Sequence, residues 1–323
     1  MAIYQAEIPV SKDKRMKTAA VVVTYNRLEL LKQCICALLA QTAVCDILLV
    51  DNASSDGTQD WARALIKGNR RILYHRNAEN LGGAGGFNLG IRWAAEMGYD
   101  RIWVMDDDTL PNPDALERLL EADALLGGEY GFLSSVALWM DGHACRMNRQ
   151  KLEEAYDERA EMLKYGLILA KQATFVSCLF KTETIRRAGL PIAEFFIWGD
   201  DIEYTRRLSI RMGLPCYLVG QSVVVHAMKE NTGSSIATDR PERIGRYNYA
   251  FRNENYLYRQ EGLKGFAFYS AKCVLNVLRV IGQAKNNRIR RCMIIVRQYF
   301  SGLFFNPRVE YIEKDGQGCN TIT

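Results

Sequence analysis

At 323 residues, 48% of them hydrophobic and 24% charged, the chain can bury a full core, which excludes a disordered, collagen-like or disulfide-stapled design. The net charge of +5 is uneven: residues 245–308 hold 12 Lys+Arg against two acids, Glu254 and Glu261, so the rest of the chain is net negative. A basic region of that kind points to an anionic partner.

Residues 18–23 form a β-branched, apolar run that reads as a first strand and stops at Thr24-Tyr25-Asn26-Arg27. Residues 28–40 carry leucine and isoleucine at helical spacing. A second buried strand, 46–50, stops at Asp51 and a polar stretch to Thr58, where Thr58 or Asp56 caps a helix to about residue 66. A weaker strand, 71–76, leads into a glycine-rich stretch, 80–90, read as a loop before a helix to about residue 97. Residues 101–105 are a fourth buried strand that runs into Asp106, Asp107 and Asp108. Strands alternating with helices predict an α/β fold, a mostly parallel sheet with helices on both faces, whose strand ends line one crevice.

Beyond it, 113–126 reads as a helix with Pro113 at its first position, and 152–163 as a charged helix. A strand is expected over 174–180, a helix over 182–188 closed by Gly189, and a helix over about 202–212. Two last strands are expected at 216–219 and 222–226. These elements predict an α/β domain over 1–228, a flexible linker over 229–243, and a basic, aromatic, helical region over 244–323. The nine cysteines, Cys319 included, have no Cys-x-x-Cys pair and read as reduced thiols in a cytosol. Residues 1–17 lack the apolar segment of a signal peptide, and Arg279 and Arg297 cut the longest apolar runs, so no membrane span is expected.

Three adjacent carboxylates repel one another unless a cation or hydrogen-bond donors offset them. An oxygen-only ligand set suits Mg²⁺ or Mn²⁺, which usually arrives with a substrate phosphate; the competing reading is a solvated turn. Asp51 suits either a ribose contact or an Asx turn. The glycines allow close approach of a ligand or of another element. Asp200 and Asp201, beside Trp198, are either helix caps or a base with raised proton affinity. His226 ends a valine run, as a core residue or as a ligand that reaches the triplet. Trp198 and Trp139 suit sugar stacking or a core.

In order and spacing, Thr24-Tyr25-Asn26-Arg27, the stretch from Asp51 to Thr58, the glycine stretch, the Asp triplet and Trp198-Gly199-Asp200-Asp201 resemble the family 2 glycosyltransferases of the GT-A fold. Asn80 to Phe87, the triplet and Asp200 to Tyr204 are most similar to bacterial galactofuranosyltransferases and nearly as similar to rhamnosyltransferases. The resemblance implies a divalent metal held by Asp106, Asp108 and His226, with Asp201 as base and Asp200 beside it. It also implies a nucleotide-sugar gripped by Thr24, Tyr25, Asn26, Arg27, Asp51, Asn80, Gly82, Gly83, Gly85, Asp106 and Asp107, with Trp198 on the acceptor. The implied reaction is inverting transfer from UDP-galactofuranose to a glycan or lipid-linked acceptor. The rivals are a dTDP-rhamnose-dependent transferase and a non-catalytic nucleotide-sugar-binding module. Gly199 and the short C-terminal region depart from the polymerising members of the family.

The basic, aromatic C-terminal region is expected to dock on the inner face of the cytoplasmic membrane, which places the protein in the cytoplasm as a peripheral enzyme. A helical cap that buries the aromatics is the alternative. No nucleic-acid recognition motif is present, and no nucleic-acid partner is expected.

Overall fold

A computed structural model of the chain describes residues 16–312. Cys319 and the outer ends of the first and last expected regions lie outside the described residues. The amino-terminal half follows the alternation expected: β1 (Thr18–Thr24), α1 (Leu28–Leu39), β2 (Asp46–Asp51), α2 (Thr58–Gly68), β3 (Ile72–Arg76), α3 (Gly82–Glu96) and β4 (Arg101–Asp106). β1 pairs in parallel with β2 and β4, and β2 with β3. Ala19, Val21 and Val23 face Phe87 and Ile91 of α3, while Ala20 and Val22 face Leu31 and Ile35 of α1. That period of two, apolar on both faces, makes β1 a covered central strand.

The second half is less regular: β5 (Thr109–Pro111), α4 (Ala115–Leu125), β6 (Leu133–Leu138), β7 (Lys151–Leu152), α5 (Ala160–Leu163), β8 (Leu167–Gln172), β9 (Cys178–Lys181), α6 (Thr182–Ala188), α7 (Asp200–Arg206) and β10 (Tyr217–His226). The ten-stranded sheet runs β3-β2-β1-β4-β9-β6-β10-β8-β7, with β5 paired to β10. β9 runs antiparallel to both β4 and β6, so the sheet is mixed. The two expected last strands are one strand with an irregularity between Val219 and Val223. Only residues 160–163 of the expected charged helix are α-helical; 156–159 form a 3₁₀ turn. α7 continues into a π-helical turn, Arg207–Arg211.

The glycine-rich stretch is not a loop. Gly82 opens α3, and Gly83, Gly85, Gly86 and Gly90 lie within it. A Cβ on Gly86 would lie 2.5 Å from Val23, and one on Gly90 would lie 2.5 Å from Val21. The glycines therefore let α3 close on β1, a gain in packing that outweighs their poor helix propensity. Gly82 sits at φ +72° with the Phe196 carbonyl oxygen 2.0 Å from where its Cβ would be. Gly83 has open space on that side.

A 3₁₀ segment, Pro241–Arg246, leads into α8 (Tyr247–Gln260), α9 (Gly262–Gln283) and α10 (Arg288–Phe304). The segment expected as a flexible linker is irregular but pinned. Ile236 and Ala237 are buried, and the buried Arg291 guanidinium donates to the carbonyls of Ile236 and Asp239. α8 is the inner layer, with Tyr247, Phe251 and Tyr256 buried. The Asn253 side-chain amide donates to the carbonyls of Phe195 (3.0 Å) and Trp198 (2.8 Å). Arg206 forks onto Glu261 at 2.6 and 2.7 Å, tying α7 to the end of α8. Contrary to expectation, α9 is long and apolar enough to cross a membrane by length and composition. A single cation interrupts an apolar run in the sequence but not the helix that carries it.

Two adjacent glycines with opposite surroundings give a direct test of this packing: Gly82→Ala is expected to lower the unfolding free energy by more than about 1 kcal/mol, because φ is positive and a backbone carbonyl blocks the Cβ. Gly83→Ala is expected to be neutral or slightly stabilising. Urea denaturation of both variants measures the difference.

Candidate active site

Two strands deliver the acidic cluster. β4 ends at Asp106, and the antiparallel pairing of β5 with β10 sets Thr109 opposite His226. The Ala227 N–H donates to the Asp108 carbonyl at 2.8 Å, fastening the two ends. His226 Nε2 lies 2.9 Å from Asp108 Oδ1 although 118 residues separate them. One ligand atom each from Asp106, Asp108 and His226 lies within 4.8 Å of the other two. Metal–ligand bonds of about 2.0–2.6 Å make neighbouring ligands sit about 3 Å apart or more, so the set is compatible with one divalent ion.

The middle carboxylate points elsewhere. Asp107 accepts hydrogen bonds from Thr24 Oγ1 at 2.7 Å and Arg27 Nη1 at 3.2 Å, and from the Tyr25 N–H at 3.4 Å. The same Arg27 nitrogen reaches Asp108 Oδ2 at 2.6 Å. Burial, with the charge of Asp108, raises the Asp106 carboxyl to about 7. Burial likewise raises Asp107 to about 6, against the pull of Arg27. For Asp108 burial acts in the same direction but loses to the hydrogen bond and charge of His226, which hold it below the usual range. Burial opposes a charged His226, yet the hydrogen bonds to Asp108 and Cys145 raise it to about 10. Arg27 and His226 are thus the positive charges that offset the three carboxylates.

His226 is oriented from behind by residues that no sequence signal marked. Its Nδ1 lies 2.7 Å from Asn148 Oδ1. The Cys145 thiol donates to the same oxygen at 3.0 Å, and the Asn148 amide nitrogen donates to Thr174 Oγ1 at 2.9 Å. An Asn oxygen can only accept, so Nδ1 carries a proton and Nε2 faces the carboxylates.

The other expected site residues divide into crevice and support. Tyr25, Asn26 and Arg27 are exposed at the crevice, and Asn26 Oδ1 accepts from the Ser55 N–H at 2.7 Å. Thr24 is buried beneath them. Asp51 is fully buried, accepting from Tyr74 Oη at 2.7 Å and from the Ser54 N–H at 2.8 Å. It therefore shapes the turn after β2, as the Asx reading has it, and is not presented to the crevice. Asn80 Oδ1 accepts from the Gly82 N–H at 2.8 Å, at the start of α3. Trp198 is half-buried, with the Tyr247 ring 5.0 Å away and the Arg243 guanidinium 5.9 Å over its own ring. Trp139 donates its Nε1–H to the Met228 carbonyl at 2.7 Å.

Asp200 and Asp201 begin α7. Asp200 is buried, and burial, then the charges of Asp201 and of Asp106, raise its carboxyl well above the ordinary range. Asp201 is raised to about 6, because burial outweighs the backbone N–H groups that its carboxylate meets. One of these, from Ile202, donates at 2.7 Å. The backbone just before them is strained, with φ of +63° at Phe196 and +64° at Trp198, and the turns after β1 and β2 are strained at Asn26 (+53°) and Ala53 (+62°). Such outliers in non-glycine residues cluster where a site over-determines the chain.

A model of the family described as glycosyl transferase family 2 matches residues 19–124. The galactofuranosyltransferase GlfT1 of Mycobacterium tuberculosis is 30% identical over 268 residues, covering 76% of this chain and 83% of that protein.

The chain belongs to the family 2 glycosyltransferases.

The undecaprenyl-phosphate mannosyltransferase of Micrococcus luteus is 39% identical over 109 residues, covering 33% of this chain and 44% of that protein. Among solved structures, GalNAc-T7 with UDP, GalNAc and Mn²⁺ superposes with a TM-score of 0.59 at 14% identity, over 76% of this chain and 48% of that one. The glycosyltransferase thus spans about half the length of that structure, and the likeness establishes the GT-A fold. The two carboxylates and the imidazole gathered here are compatible with a divalent metal.

If Asn148 orients His226, Asn148→Ala should weaken Mn²⁺ binding by about 10–100-fold, the usual effect of removing a partner behind a metal ligand. Calorimetric titration of the metal into the variant measures this, with circular dichroism as the folding control. Unchanged affinity would remove Asn148 from that role.

Proposed function

We propose that this glycosyltransferase is an inverting, metal-dependent enzyme that moves galactofuranose from UDP-galactofuranose to a hydroxyl of a glycan or lipid-linked acceptor. It would serve cell-surface polysaccharide synthesis on the cytoplasmic side of the membrane. The observation that carries the reading is the convergence of Asp106, Asp108 and His226 within 4.8 Å, close enough to Asp200 for the charge of Asp106 to bear on it. The similarity to galactofuranosyltransferase GlfT1 over 83% of its length supports the choice of donor sugar.

Asp106, Asp108 and His226 would hold Mn²⁺ or Mg²⁺, which when bound stabilises the charge that develops on a leaving nucleoside diphosphate. Arg27, its side chain 45% exposed, reaches the same diphosphate from the crevice, and the Thr24–Arg27 turn and the start of α3 at Asn80, Gly82 and Gly83 frame the nucleotide-sugar. Gly85 acts through helix packing. Trp198, half-buried two residues before Asp200, would contact the acceptor. Asp201 takes the proton of the acceptor hydroxyl as its oxygen attacks the anomeric carbon, from the side opposite the departing diphosphate. A carboxyl near 6 is ionised at neutral pH yet holds a proton better than an ordinary aspartate, which suits a base. Burial and the charge of Asp201 raise the proton affinity of Asp200, which limits the negative charge beside the triplet.

Incubation with UDP-galactofuranose and Mn²⁺ should release UDP in the presence of an acceptor; turnover with dTDP-rhamnose instead would replace the donor, and turnover with neither would leave a binding module. Asp201→Asn should lower the rate by about 10²–10⁴-fold with donor binding retained. In the wild-type enzyme the rate should climb with pH through about 6 and level off above it, because the base works only when deprotonated. A near-normal rate in Asp201→Asn, with loss in Asp200→Asn, would move the role to Asp200.

A further inference from the structure

An exposed apolar surface lies far from the acidic cluster in sequence, on the outer face of α9 and α10. The aromatics that the sequence offered for a membrane are divided: Tyr247, Phe251, Tyr256 and Tyr269 are buried, while Phe268, Phe300 and Phe304 are exposed, and Tyr269 and Tyr299 stack at 5.9 Å between the helices. An aliphatic set also looks outward. On α9 these include Leu275, Leu278 and Ile281, exposed by 46%, 59% and 57%. On α10 they include Ile289, Met293 and Val296, exposed by 78%, 65% and 51%. Their spacing puts each set on one stripe of its helix, and residues of both helices line a shallow apolar groove flanked by Arg288 and Arg297.

Charge singles out the occupant. Between residues 262 and 309 the chain has no Asp or Glu and nine Lys+Arg. Lys272 is taken by Glu254 at 2.7 Å, and Arg291 is buried. Lys264, Arg279, Lys285, Arg290 and Arg297 are exposed and make no ion pair among the described residues. An aliphatic stripe rimmed by cations, with no carboxylate, matches an anionic bilayer: headgroups meet the cations while side chains enter the interface. A second copy of the same face would bring like charges together.

We infer that the outer face of the α9–α10 hairpin docks on an anionic lipid bilayer, lying in its interface. This deepens the reading that the acceptor is met at a membrane and rests on it. The face lies on the bilayer instead of spanning it, because α9 is held along its length by its neighbours. Tyr269 and Val280 are buried against them, Tyr269 Oη donates to the Phe251 carbonyl, and the Lys272–Glu254 pair joins α9 to α8. Only 22% of the apolar window of α9 is buried inside the protein, which leaves the stripe for lipid.

The test uses the full chain with vesicles of phosphatidylglycerol and phosphatidylcholine, against vesicles of phosphatidylcholine alone. Co-sedimentation should require the anionic lipid and weaken as salt rises. The double variant Leu278→Glu with Ile289→Glu should bind at least about tenfold more weakly, and Arg290→Glu with Arg297→Glu should lose most of the preference for anionic lipid. Both pairs are exposed, and circular dichroism together with nucleoside diphosphate release in a soluble assay reports whether fold and chemistry survive. Turnover without vesicle binding would overturn the docking and leave the transferase reading intact. Vesicle binding without turnover would uphold the docking and count against the transferase reading. Equal binding by wild type and both variants, or a dimer that the Glu substitutions dissociate while vesicles remain unbound, would also overturn it.

Discussion

A three-residue strand holds the acidic cluster together. β5 runs beside the last residues of β10, and backbone hydrogen bonds set the end of one segment against the end of another more than a hundred residues away. Without that pairing the three consecutive carboxylates would belong to an open turn, free to turn their charges towards water. With it, Asp107 and Asp108 are buried together with His226, and burial is what makes the charges matter. A low-dielectric surrounding strengthens each attraction and each repulsion. The protein answers with two cations, one on each side: Arg27 from the turn after β1 and His226 from β10. The opposing directions of the carboxyl groups follow from the balance at each: Asp108 is held down by the hydrogen bond and charge of His226 together with Arg27, whereas at Asp106 and Asp107 burial outweighs the cations.

How far this could be read from the chain depended on the range of each interaction. Strands β1, β2 and β4 are short apolar runs closed by polar residues, and their local pattern suffices. The triplet and the Asp200–Asp201 pair carry their chemistry in adjacent residues, so they too were visible. The partnership of His226 with Asp108 came from resemblance, since no local pattern encodes a strand pairing across 118 residues. Asn148 and Cys145 were invisible for the same reason: they act through the fold, from a segment with weak periodicity. The glycines of α3 misled because glycine is read as a breaker, whereas here the absent side chains make room for Val21 and Val23. Asp51, a carboxylate at a strand end that looked available for a ligand, is fully buried between the Ser54 N–H of its own turn and Tyr74 and Arg76 of β3.

The carboxyl-terminal third shows a comparable limit. Its basic, aromatic composition allowed either a cap or a membrane surface, and the helices divide the work between layers. Aromatic rings fill the space between α8, α9, α10 and the catalytic half, where their breadth and their hydrogen-bonding edges are useful. Aliphatic side chains and cations occupy the outside, with Phe268, Phe300 and Phe304 among them. Composition counts residues without saying which face they take, and only the helical register separates the two roles.

The amide of Asn253 also bears on how such a chain could be divided. One side chain from α8 satisfies carbonyls of Phe195 and Trp198, in the loop whose strained residues precede Asp200 and Asp201. A chain cut at residue 228 would keep every carboxylate and lose the donor that holds their loop, together with the Arg206–Glu261 fork. The catalytic half is therefore not a portable cassette. In recombination with relatives, the exchangeable piece has to run from β1 through α10, and a graft that swaps the helical layer alone must carry its own equivalent of Asn253.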